Sequence, residues 1–172
     1  DGAPGEHAPP TRHALRASPE VRHFFLEVLR LYPLVPALGG VCLKGLVLHC
    51  QGRAYKLPKH TQVQLFSMAL QRHPAHVRGS GDPDTVEPER WAAPASQQPF
   101  LSAFNLGPHQ CPGAPLTMLI THALLLSALA GFEFYYPEGS NQQLQFEEEM
   151  ILRPKDGMPL HVRRRQTASA CT

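Results

Sequence analysis

The sequence predicts an α+β fold, mainly helical, with small antiparallel sheets and a cysteine loop ahead of a long helix. Three observations carry this expectation. Apolar residues recur at helical spacing from Val21 to Leu29, and a second apolar run extends from Leu116 to Phe134. Between them lie three short strand-like stretches separated by turn residues. The third observation is the segment Phe104-Asn105-Leu106-Gly107-Pro108-His109-Gln110-Cys111-Pro112-Gly113, where glycine and proline stiffen the approach to a single cysteine.

The elements follow in order. Residues 1–17 hold Pro, Gly, His and Ala without periodicity and read as a disordered or cut N-terminal segment. Ser18-Pro19-Glu20 starts a helix with an N-cap hydroxyl, a first-turn proline and an acid. Val21, Phe24, Phe25, Val28 and Leu29 continue it until Pro33. Strands are expected over Gly45–Cys50, Arg53–Leu57 and Gln62–Phe66, with a turn at Gln51-Gly52. A short helix over Ser67–Arg72 precedes a proline- and glycine-rich loop that reaches Gln98. After the cysteine comes the long helix, near Pro115–Ala130, stopped by Gly131. The end reads as a hairpin: Met150–Leu152, a turn at Asp156-Gly157, then Pro159–Val162. Residues 166–172 form a tail.

Composition narrows the function. The 172 residues amount to one domain with a core of its own. A net charge of +2 gives no argument for nucleic acid or an anionic membrane surface. Proline is about twice its usual frequency, so elements are short and separated by loops. The four cysteines show no paired spacing, which argues against a disulfide framework or a zinc ribbon. Cys42, His49 and Cys50 form the densest group and lack the two ligand pairs of a zinc site. The N-terminal stretch is not apolar enough for a signal peptide. The run after Cys111 carries Thr117, Thr121, His122 and Ser127 and reads as a buried core helix rather than a membrane span.

Cys111 precedes that helix directly, so its sulfur faces unpaired N–H groups and the positive end of the dipole. Such a place favours a thiolate able to bind a metal. Gly107 and Gly113 let the backbone pass close to a flat cofactor. The competing reading is a structural cysteine, since free cysteines are among the most buried residues.

The loop resembles the haem-binding segment of the cytochrome P-450 superfamily, Phe-x-x-Gly-x-(Arg/His)-x-Cys-x-Gly, at every fixed position. The resemblance implies haem (iron protoporphyrin) as cofactor and Cys111 as its axial iron ligand. It further implies cofactor contacts by Phe104, Gly107, His109 and Gly113, with Phe104 beside the sulfur and His109 at a propionate.

Glu27 and Arg30 share a helix face, and an exposed pair of this kind is worth about 0.2–0.5 kcal/mol. Their apolar neighbours predict a helix buried on most sides, where charges must be paired and hydrogen-bonded. Glu27-Val28-Leu29-Arg30 and Pro88-Glu89-Arg90-Trp91 resemble two further family motifs, which implies a structural Glu27–Arg30–Arg90 network. The likeness spans roughly 18–165, the C-terminal portion of a haem-thiolate oxygenase domain. Its apolar positions Val35, Ala37, Leu38 and Met158 match residues that line the family's substrate cavity.

The sequence departs from the family pattern at His60, at a turn glycine, and at His73, at an aspartate. Gly39-Gly40 stands where many members carry a propionate-binding arginine, and Ile120 replaces a glutamate. No acid–threonine motif of an oxygen-activating helix is present. The resemblance implies a monooxygenase that inserts one atom of dioxygen into a small apolar substrate, served by a reductase or ferredoxin. A peroxide-using peroxygenase, a hydroperoxide isomerase and a non-catalytic truncated fragment are the alternatives. It admits a membrane-anchored or a cytoplasmic full-length protein.

Overall fold

The structure, a computed structural model, describes Thr11 and residues 18–77, 81–137, 145–148, 150–155 and 157–165. The segments expected to be disordered or tail-like, 1–17 apart from Thr11 and 166–172, lie outside the described residues, as does Asp156.

Helix α1 spans Pro19–Leu31. Ser18 occupies the N-cap position, yet its hydroxyl makes no capping bond; Pro19 and Glu20 in the first turn support the start instead. The helix buries one stripe, Leu26, Glu27, Arg30 and Leu31, while Phe24 is 46% exposed. It is therefore not buried on most sides. The stripe packs on the 3₁₀ turn Pro88–Ala92, and Phe25 and Leu29 look the other way, into a cavity.

Four strands follow. β1 (Ala37–Val41) pairs antiparallel with β4 (Gln62–Phe66), Ala37 opposite Phe66 and Val41 opposite Gln62. Between them β2 (Leu46–Cys50) and β3 (Arg53–Leu57) form a hairpin, turned at Gln51 and Gly52, both with positive φ. β1 was not expected, because Pro33, Pro36, Gly39 and Gly40 all read as loop residues. His60 adopts φ 67°, held by its N–H donating to the Cys42 carbonyl at 2.7 Å while Cys42 N–H donates to Thr61.

Helix α2 (Ser67–Leu70) is shorter than the Ser67–Arg72 expected. Gln71 and Arg72 leave it to reach back to α1. Helix α3 spans Ala114–Gly131 and runs directly into β5 (Phe132–Tyr135). The buried core helix expected here is not what this chain builds: Ala114, His122 and Gly131 are its buried residues, and Leu116, Leu119, Ile120 and Leu124 are exposed. A helix apolar on every side needs partners on every side, and α1 and β5 are its main neighbours here.

The C-terminal hairpin is also corrected. β7 (Leu152–Pro154) pairs with β6 (Phe146–Glu148), whereas β8 (His161–Arg164) pairs with β5. Local spacing favoured pairing the two runs with each other; the β5 edge, about thirty residues upstream, takes β8 instead.

Candidate functional site

Two constructions meet on α1. The first is a buried ionic cluster. Arg30 donates twice to the Glu27 carboxylate, from Nε at 2.9 Å and Nη2 at 2.7 Å. Trp91 Nε1 donates to the same carboxylate at 2.8 Å and Glu87 N–H at 3.2 Å. Arg30 is completed by the carbonyls of Gln71, Pro83 and Thr85. Glu27 and Arg30 are both fully buried. Burial by itself pushes the Glu27 carboxyl up, but hydrogen bonds from Arg30, Trp91 and Glu87, with the Arg30 charge, hold it below the usual carboxylate range.

Arg90 is coupled more loosely. Its Nε lies 3.6 Å from Glu27 Oε1, an ion-pair distance rather than a hydrogen bond. Nη2 instead reaches Glu87 Oε2 at 2.9 Å and the Asp82 carbonyl at 3.1 Å. A Cβ at Gly81 would meet the Glu87 carboxylate and the Arg90 guanidinium, so a side chain there would have to displace the Glu87–Arg90 pair.

The second construction is the cysteine loop. Cys111 N–H donates to the Phe104 carbonyl at 2.8 Å, which closes residues 104–111 on themselves. Gln110 N–H donates to the Gly107 carbonyl at 3.0 Å inside that ring. Two left-handed residues make the ring possible, Gly107 at φ 66° and Asn105 at φ 63°. Glycine meets this at no steric cost, and asparagine is among the few other residues that tolerate it. Helix α3 begins three residues beyond the cysteine.

Cys111 is exposed, and it lines a cavity of about 570 Å³ together with Phe104, Asn105 and His109. Phe25 and Leu29 of α1 form one wall. Val35 and Leu38, expected among substrate-lining positions, belong to the same lining, whereas Ala37 and Met158 do not. Met158 stands 49% exposed, on the segment between β7 and β8, which pair with other strands. Gly107 lies in the ring without lining the cavity, and a Cβ at Gly113 would come to 3.6 Å from the Cys111 sulfur, so glycine leaves that flank uncovered.

Sequence reasoning missed several contributors. Tyr32 stacks on Phe146 with ring centroids 4.9 Å apart, and Leu152 N–H donates to the Leu34 carbonyl at 2.8 Å. The β6–β7 ribbon is thereby sewn to the end of α1 at the cavity rim. Trp91 and Gln71 were missed as polar participants. A tryptophan beside a motif arginine was one available signal; Gln71 offered none.

Comparison with known proteins agrees with this architecture. The sequence profile of Cytochrome P450 matches residues 1–162, and the chain belongs to the cytochrome P450 family. It is similar to thromboxane-A synthase of Mus musculus, 30% identical over 92% of this chain and 29% of the relative. It is also similar to the mitochondrial 25-hydroxyvitamin D-1 alpha hydroxylase of Rattus norvegicus, 34% identical over 76% of this chain and 25% of that protein. The haem domain of cytochrome P450DA superposes with a TM-score of 0.77 at 25% identity, covering 94% of this chain and 34% of the other. The chain thus spans about a third or less of the proteins it matches.

The family implies haem, and the donor set suits it. One thiol opens onto an apolar cavity, an imidazole stands at its edge, and among the described residues no Asp, Glu, Lys or Arg lines it. Pockets of about 300–1,000 Å³ with few polar groups are typical of cofactor sites. Gly39 and Gly40 lie exposed on β1 with open space where a side chain would begin.

Proposed function

We propose that residues 18–165 are the haem-binding portion of a cytochrome P450 monooxygenase. The opening of the Cys111 sulfur onto the apolar cavity carries this reading. Haem held through a thiolate supplies electron-rich iron that favours O–O cleavage and insertion of one oxygen atom into a small apolar substrate. Cys111 would hold the haem iron through its thiolate, with Phe104 beside it in the cavity wall. His109 would donate to a haem propionate, without help from the Gly39-Gly40 position. Gly107 lets the loop close through its positive φ, and Gly113 leaves the flank of the sulfur free of a side chain. Phe25, Leu29, Val35 and Leu38 exclude water from it. Electrons come from a reductase or ferredoxin. Ala114–Gly131 is long and apolar enough to cross a membrane, yet its buried His122 is within 3.1 Å of the Ser18 carbonyl. We read it as the interior of a larger domain.

The test is the absorption spectrum of the reduced, carbon monoxide-bound protein. A red-shifted Soret band is expected, and Cys111→Ala should abolish it. A haem-reconstituted protein without any Soret band would leave only a non-catalytic role. A second reading is a peroxygenase or hydroperoxide isomerase, favoured by the stretch Pro33 to Gly39, which resembles the peroxygenase branch. Turnover with hydrogen peroxide and none with a reductase would select it.

A further inference from the structure

We propose that Gln71 is a positioning residue that ties the cysteine loop to the end of α1. Its functional part rests on the reading of Cys111 given above. The last four carbonyls of a helix have no partner inside it. In α1, Val28 is satisfied by Tyr32 N–H at 2.7 Å, and the rest are met by side chains from forty residues away. Gln71 Nε2 donates to the carbonyls of Leu29 at 3.2 Å and Arg30 at 3.0 Å, and Arg72 Nη2 donates to Leu31 at 2.6 Å. The other end of the Gln71 amide faces the cysteine loop. Its Oε1 accepts from Ser102 N–H at 2.6 Å, and the Ser102 hydroxyl, 3.3 Å from the same oxygen, bonds Ser67 Oγ at 3.0 Å.

Both N–H groups of the side-chain amide are thus used and its oxygen accepts from the Ser102 backbone, so the orientation of the amide is fixed by its partners. Gln71, Ser67 and Ser102 are completely buried, so solvent cannot replace any partner that is lost. The Gln71 carbonyl closes the circuit by accepting from Arg30 Nη1 at 3.1 Å. From Ser102 the path to the sulfur is short. Its carbonyl accepts from Asn105 N–H at 2.9 Å, and the Phe104 carbonyl accepts from Cys111 N–H at 2.8 Å. One amide therefore sets where the 104–111 ring stands relative to Leu29, which lines the same cavity.

The experiment uses the full-length protein carrying Gln71→Met, an apolar side chain of similar length, and Gln71→His, whose neutral ring offers one donor and one acceptor. Two readouts are taken from folded protein. Amide hydrogen exchange at Asn105 and Cys111 should accelerate about tenfold or more in Gln71→Met, with Gln71→His restoring part of the protection. The carbon monoxide spectrum of the haem-loaded protein should lose part of its red-shifted Soret band in Gln71→Met and regain it in Gln71→His. Should Gln71→Met fail to fold, Ser102→Ala removes the hydroxyl bonds alone, and the same changes are expected at smaller size. Unchanged exchange and an unchanged spectrum in the folded variants would overturn the proposal. A wild-type protein without the red-shifted band would overturn the haem reading instead, and the exchange arm would still decide the role of Gln71.

Discussion

The Glu27 cluster and the Cys111 loop occupy different faces of one helix and treat polar groups in contrary ways. Glu27 lies fully buried and receives hydrogen bonds from Arg30, Trp91 and Glu87, all within this chain. Cys111 is held by its backbone alone and leaves its sulfur open to an apolar cavity. A charge taken out of water must find its complement within the fold, because an unpaired one costs several kcal/mol. A ligand atom must keep a position free for something the fold does not supply. Burial with a fully bonded carboxylate suits support, and exposure on an apolar wall suits the proposed ligand role.

The largest effect should come from breaking the closed side. Glu27→Ala leaves the buried Arg30 guanidinium without its carboxylate and should cost about 3–5 kcal/mol in urea unfolding. A wild-type midpoint in that variant would mean the cluster contributes no net stability. Acid performs the same cut reversibly. The folded Glu27 carboxyl titrates below its unfolded value, near 4.3 for a free glutamate, so the native state binds fewer protons there. Its contribution is therefore present above the unfolded value and is lost as pH falls through the folded one. The acid-side loss of stability in wild type should shrink in Glu27→Gln, measured by unfolding across that window.

Trp91→Phe takes one donor from the carboxylate and keeps the ring, so about 1–3 kcal/mol is expected from the buried acceptor left short. Its effect on the cysteine loop should be minor, because Trp91 reaches Glu27 rather than the cavity lining. Equal loss of the red-shifted Soret band in Trp91→Phe and Gln71→Met would erase the distinction between the two faces.

The sequence made some of this visible and hid the rest for physical reasons. Helix α1 and the Cys111 loop were legible because periodicity, a first-turn proline and fixed glycine positions are local signals. Strand β1 was not, since its residues Gly39 and Gly40 have low strand propensity and only pairing with Val63 and Gln64 holds them extended. The pairing of β8 with β5 was hidden because register between distant strands is a tertiary choice. Gln71 was hidden because its proposed role comes from Leu29, Arg30 and Ser102, each about thirty or more positions away. The Glu27–Arg30 spacing showed a pair but not the Trp91 donor that completes it.

A smaller cost lies in the backbone, outside both constructions. His60 holds φ 67° at a turn fixed by its bond to the Cys42 carbonyl. A left-handed conformation costs a side-chain-bearing residue about 1 kcal/mol, and glycine escapes it. His60→Gly should therefore raise stability by about that amount, less what the freer unfolded chain takes back. Lower stability in the variant would mean that the imidazole contributes more than the strained turn costs.

The smallest stability effect should fall on the residue with the largest functional one. Cys111 is exposed, and its fixed geometry comes from backbone bonds that alanine keeps. In the haem-free protein, Cys111→Ala should shift unfolding by no more than about 0.5 kcal/mol. In the haem-loaded protein the same change should remove the red-shifted Soret band and any stabilisation that ligation confers by binding the native state alone. The comparison of Cys111→Ala with wild type, with and without haem, thus isolates the open side of α1. A loss in the haem-free variant as large as that of Glu27→Ala would make Cys111 a structural residue and cancel the division between support and site.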